Sequence, residues 1–90
     1  MAIDIGAEVI KVIADYKGYG TDEVKPNNTL AELDFSKSDA RDLAQEINLH
    51  FYNGLHYMFD RLLHPRDIKP EQKVSQVIAL VKLVNPRPRP

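Results

Sequence analysis

Ninety residues make one small domain, near the size at which a single apolar core is only just sufficient. Twelve Lys and Arg against thirteen Asp and Glu give a formal charge of −1, so no bulk attraction to nucleic acid or to an anionic membrane is expected. The absence of cysteine excludes disulfides, thiolate zinc sites and thiol nucleophiles.

The first element is read from "DIGAEVIKVIADYKG". Ile5, Val9, Val12, Ile13 and Tyr16 fall at helical spacing, with Asp4 as N-cap and Gly18 as stop. The opening "MAIDIGAEVI" lacks a basic region followed by a long apolar stretch, and no apolar run spans a bilayer, so a soluble, cytoplasmic protein is the expectation. Next comes "GYGTDEVKPNN", rich in turn formers, where Pro26 bars a regular helix. A long ordered loop follows from this, with Val24 and Leu30 as apolar pins.

A second helix opens near Ser36 or Lys37 in "LAELDFSKSDARDL". Ser36 and Asp39 make an S-x-x-D capping box, and Asp39 and Asp42 lie where the helix dipole favours negative charge. Ala40, Leu43, Ile47 and Phe51 continue the apolar stripe. In "FYNGLHYMFDRLLHP", Leu55, Met58, Phe59 and Leu62 keep helical spacing across Asn53-Gly54. Because a mid-helix glycine costs about 1 kcal/mol, a break at that dipeptide and a short separate helix are preferred over one continuous helix. Pro65 ends the segment, and Pro70 opens a last helix whose apolar face is Val74, Val77, Ile78, Val81 and Val84. No strand pattern is evident. The expected fold is all-α, a bundle of three or four helices over residues 1–85, with "NPRPRP" contributing a flexible, polyproline-like tail at 86–90.

Taken together these residues resemble the acyl carrier proteins and their peptidyl and polyketide carrier relatives. The likeness covers most of the chain: a first helix, the loop "GYGTDEVKPNNTLAEL", a second helix, and a final helix near Lys73-Val74. From Leu33 the family reads Leu-Gly-x-Asp-Ser-Leu-Asp, and this chain supplies Leu33, Asp39, Asp42, Leu43, Ile47 and Phe51 in ungapped register. In that family a phosphopantetheinyl transferase esterifies the serine with the 4'-phosphopantetheine arm of coenzyme A. The arm carries acyl groups as thioesters, and an acidic second helix docks onto the enzymes served.

In the same register the serine position is Lys37, the family's Gly is Asp34, its Asp is Ser36 and its Leu is Ser38. An ammonium is not the oxygen nucleophile that the transferase uses, so the resemblance implies a carrier fold without its arm at the family position. Ser36 is accounted for as a cap and Ser38 as a solvated first-turn residue; a shifted attachment at Ser38, or at Ser36, is the competing expectation. Asp39, Arg41, Asp42 and Glu46 form the expected partner-docking face of helix two, less acidic than in the family.

His50, His56 and His64 are too widely spaced for a recognised ligand set, so no metal site is expected. The Phe51, Leu55, Met58, Phe59 and Leu62 stripe reads as core, against a pocket for an acyl chain or a partner helix. Arg87 and Arg89 read as part of a disordered end, against engagement of an aromatic-lined partner groove. No nucleophile, base and orienting acid share a recognisable spacing, so no enzyme activity is expected.

Three functions compete at this point: a non-pantetheinylated module acting through protein interaction, a specialised carrier serving a dedicated lipid or secondary-metabolite pathway, and an unrelated small helical binding domain.

Overall fold

In the computed structural model, which describes residues 3–90, three α-helices carry the chain. These are α1 (Ile5–Lys17), α2 (Lys37–Leu49) and α3 (Val74–Leu83). A two-residue antiparallel ladder joins β1 (Tyr57–Met58) to β2 (Arg87–Pro88).

Helix α1 begins and ends on local chemistry. The Asp4 carboxylate accepts from Ala7 N–H at 3.1 Å, and Gly18 turns left-handed at φ 77° while its N–H donates to the Ala14 carbonyl. That conformation is open to glycine because no Cβ meets the following carbonyl.

The loop from Gly18 to Ser36 is ordered by two short 3₁₀ turns, Thr21–Glu23 and Ala31–Leu33. Val24, Leu30, Leu33 and Phe35 are buried, so both expected pins hold. Backbone bonds tie the loop to the approach to α3: Leu30 N–H to Gln72 carbonyl at 2.9 Å, Ala31 N–H to Pro70 carbonyl at 2.8 Å, and Val74 N–H to Asn28 carbonyl at 2.8 Å. Buried backbone groups of a loop need such partners, and here two irregular segments satisfy each other.

Helix α2 starts at Lys37 behind the Ser36 N-cap, as the capping pattern required. Its end differs from expectation in form. The α-helix widens into one π turn over His50–Gly54, closed by Leu55 N–H to His50 carbonyl at 2.9 Å. The break falls at Asn53-Gly54, but no helix follows it. His56 adopts φ 58°, and the chain runs irregularly, with only β1, to a 3₁₀ turn at Pro65–Asp67. The helical spacing of Leu55, Met58, Phe59 and Leu62 is therefore misleading. Leu62 is 63 % exposed, and its neighbour Leu63, at 3 %, fills the core instead. The cause is a side chain on α2: Asn48 Nδ2 donates to Leu63 carbonyl at 3.0 Å, and its Oδ1 accepts from Leu63 N–H at 2.9 Å. Leu63 backbone is thus paired with a side-chain amide rather than with a helical turn.

Helix α3 begins at Val74, four residues later than Pro70 suggested, because Pro70 and Gln72 give their carbonyls to the loop. Val9, Ile13, Leu30, Leu43, Ile47, Phe51, Val74, Val77 and Val81 are its fully buried neighbours or members in one core. Phe51 packs on Phe59 with ring centroids 5.3 Å apart.

The tail expected to leave the fold is extended but returns to it. Arg87 and Pro88 pair with Met58 and Tyr57, Arg87 forms an ion pair with Asp60, and the Arg89 guanidinium lies 4.2 Å from the Tyr52 ring centroid. Arg89 N–H donates to the His56 carbonyl at 2.9 Å. The all-helical expectation is accordingly amended to a mostly helical fold with one small ladder. Among the described residues no helix is long and apolar enough to cross a membrane.

Candidate functional site

The start of α2 is built around Ser36 and Asp39. The Ser36 Oγ accepts from Asp39 N–H at 3.1 Å, and Ser36 N–H donates to Asp39 Oδ2 at 3.0 Å. These reciprocal bonds satisfy two backbone donors that the first turn leaves without partners. Ser36 is thus engaged as a cap, whereas Lys37 and Ser38 are exposed and make no side-chain hydrogen bond among the described residues.

Asp39 does more than cap. Its Oδ2 accepts from Lys17 Nζ at 2.8 Å, across from the end of α1. The Tyr16 hydroxyl sits 3.2 Å from Asp39 Oδ1 and 3.0 Å from Asp42 Oδ2, with one proton to donate between them. Phe35 stacks on Tyr16 at 5.6 Å, and the Lys17 ammonium lies 5.2 Å from the Phe35 ring centroid. The result is a polar latch between α1 and α2 with an aromatic floor.

The electrostatics follow from these contacts. The Lys17 ammonium, with the Ser36 amide next, holds the Asp39 carboxyl far below the usual carboxylate range. Lys17 is raised in turn, chiefly by its hydrogen bond to Asp39. Burial, followed by the hydrogen bond and charge of Asp42, pushes the Tyr16 phenol up to about 12. A phenolate facing two carboxylates is strongly disfavoured.

The expected docking residues therefore divide. Asp39 is half-buried and turned to α1, while Arg41, Asp42 and Glu46 are exposed. Asp42 and Glu46 share a shallow concavity with Tyr16, Gln45 and Arg41. Further along α2, Leu49 and Tyr52 are exposed at 43 % and 47 %, and with Leu62, Gln45 and Asn48 they line an apolar groove of about 480 Å³. On its other flank, Lys37 and Arg41 line a smaller concavity with residues of the 65–71 segment.

The three histidines stand apart. His50 donates to Glu8 Oε1 at 2.8 Å, His64 caps the 3₁₀ turn at Pro65–Asp67, and His56 meets Arg89. Among the described residues no three His, Asp or Glu side chains are grouped so as to hold a metal ion.

Sequence reasoning missed Tyr16 and Lys17 as partners of Asp39, and Arg66 and Lys69 as neighbours of Lys37. Those pairs lie far apart in the chain, and no local spacing rule connects them. Tyr16 carried one usable signal, a phenol at the edge of an apolar stripe, where its polar tip needs a partner.

No protein-family model, curated protein or solved structure matches this chain.

Proposed function

We propose that the chain is an acyl-carrier-like domain that bears no phosphopantetheine at the family position and acts by binding a protein partner along α2. The observation that carries this reading is Lys37, the first residue of α2, immediately after the Ser36 cap. That is where the resemblance locates the modified serine, and an ammonium there accepts no phosphopantetheinyl group through oxygen.

Two further features support the register. Asp34 adopts φ 67° at the position where the carrier family has glycine, and left-handed backbone is the conformation in which glycine is favoured and aspartate tolerated. Ser36 performs the helix cap at the family's aspartate position, a role for which either side chain is suited. The order of elements also agrees with a carrier: a long first helix, a long pinned loop, a second helix, a single helical turn at Pro65–Asp67 and a last helix.

The docking face is formed by Arg41, Asp42 and Glu46 with the apolar groove of Leu49, Tyr52 and Leu62 beside them. Asp39 contributes by holding α2 against α1 rather than by touching the partner. A charged rim next to an apolar centre is the usual anatomy of a protein interface.

A second reading rests on Ser38, whose hydroxyl is exposed and uncommitted. It is that of a specialised carrier loaded with 4'-phosphopantetheine at Ser38, or at Ser36, in a dedicated lipid or secondary-metabolite pathway. Intact-protein mass after incubation with coenzyme A and a broad-specificity phosphopantetheinyl transferase separates the two. An unchanged mass is expected. A gain of one arm that Ser38→Ala or Ser36→Ala alone abolishes would establish the second reading instead.

A further inference from the structure

Of the twelve basic side chains, Lys25, Lys73 and Lys82 form no ion pair among the described residues, and the other nine fall into two groups. Lys11, Lys17, Arg61 and Arg87 form ion pairs with Glu8, Asp39, Asp67 and Asp60, and Arg89 is bonded to His56 and lies over Tyr52. Lys37, Arg41, Arg66 and Lys69 have no acidic partner among the described residues, and all four line one concavity of about 140 Å³. Its walls are Pro65, Ile68 and Pro70, and Glu71 is the acid on its rim.

The concavity is held by a fixed scaffold. Asn48 clamps the Leu63 backbone to α2. The Asp67 carboxylate accepts from His64 N–H at 2.9 Å and from Arg61 at 3.0 Å. Gln72 accepts from Lys69 N–H at 3.1 Å and donates to the Asp67 carbonyl at 3.2 Å, while Ile68 is buried in the core. Arg66 and Lys69 thus project from a braced turn, opposite Lys37 and Arg41 one helical turn apart on α2.

Four like charges kept around one hollow repel one another, and a near-neutral chain with acids to spare leaves them unpaired. A bound anion removes that repulsion. We propose that this concavity binds the phosphoryl group of a small soluble phosphate ester, with Arg41, Arg66, Lys37 and Lys69 as its donors. Guanidinium forks match phosphate oxygens two at a time, and lysines add charge without a fixed geometry. The volume suits one phosphoryl group and is well below the usual range for sites that enclose a whole cofactor. None of the large exposed apolar side chains, Leu49, Tyr52, Leu62 and Leu83, lies on its rim, which favours a soluble ester over a lipid surface. The site is independent of the carrier reading, since it rests on these side chains alone.

The test is an amide NMR titration of the full chain with glycerol phosphate at constant ionic strength, beside co-sedimentation with phosphatidic acid vesicles. Saturable shifts confined to residues 37–41 and 65–71 are expected. Arg41→Gln and Arg66→Gln should each weaken binding about tenfold, Glu71→Gln should strengthen it, and Lys82→Gln on α3 should leave it unchanged. Circular dichroism of each variant verifies that the helices persist. Shifts spread over all exposed lysines, saturation by a glutamate peptide but not by glycerol phosphate, or binding to vesicles alone would each overturn the proposal.

Discussion

Asp39 sits where capping, an ion pair and a phenol hydrogen bond meet, so its ionisation is linked to folding. Its folded pKa lies below the ordinary value. The stabilisation it supplies is therefore fully present above the normal carboxylate range and is lost as the pH falls through the depressed folded value. Asp39→Asn is expected to lower stability at neutral pH and to flatten its decline in acid, as read from urea unfolding across an acid pH series. Tyr16 has the opposite sign. Its folded pKa is raised from 10.0 to about 12, so its contribution is complete below the ordinary phenol value and disappears as the pH climbs through the raised one. Ultraviolet titration of the folded chain should show a late-ionising phenol that Tyr16→Phe removes. At the neighbouring cap, Ser36→Ala should cost about 1 kcal/mol, whereas Ser38→Ala should be close to neutral in the same unfolding experiment. The cap was legible because capping joins residues three apart, Ser36 and Asp39. The latch was not, because Tyr16 and Lys17 reach Asp39 only after two helices have packed.

Elements that end on local chemistry match their sequence boundaries well. Asp4 and Gly18 bracket α1, and Ser36 opens α2. Gly18→Ala is expected to destabilise by about 1 kcal/mol through its left-handed backbone alone, since nothing lies within 4 Å of the added carbon. Residues 55–64 depart from their helical spacing for a physical reason. Apolar spacing of three and four is necessary for an amphipathic helix but does not create one when Gly54 and a left-handed His56 intervene. What organises that stretch is Asn48, whose amide was indistinguishable in the sequence from any other polar residue of a helix. Asn48→Ala leaves the Leu63 N–H and carbonyl without partners, which should cost about 1–3 kcal/mol. Faster hydrogen exchange at the Leu63 and Asp67 amides would localise the loss.

For the whole molecule, the loop of residues 18–36 and the approach to α3 act as one stitched layer, and the tail closes the other end through Tyr57, Met58 and Asp60. Alternating proline and arginine suit an extended backbone, and Arg87 and Pro88 are extended as one strand of the ladder. The tail's destination depended on Tyr52 and Asp60, which no property of the tail itself reveals. The helical class was legible from periodicity; of the four residues expected to form a docking face, Asp39 bonds to Tyr16 and Lys17 of α1. The proposed function rests on a carrier-like fold with lysine where an arm would attach. It is tested most directly by intact mass after treatment with coenzyme A and a phosphopantetheinyl transferase. The parent chain is measured beside a variant carrying Ser36→Asp, Lys37→Ser and Ser38→Leu. The expected result is an unchanged parent and a variant heavier by one phosphopantetheine arm. A parent chain that takes up the arm, or a folded variant that does not, would contradict it.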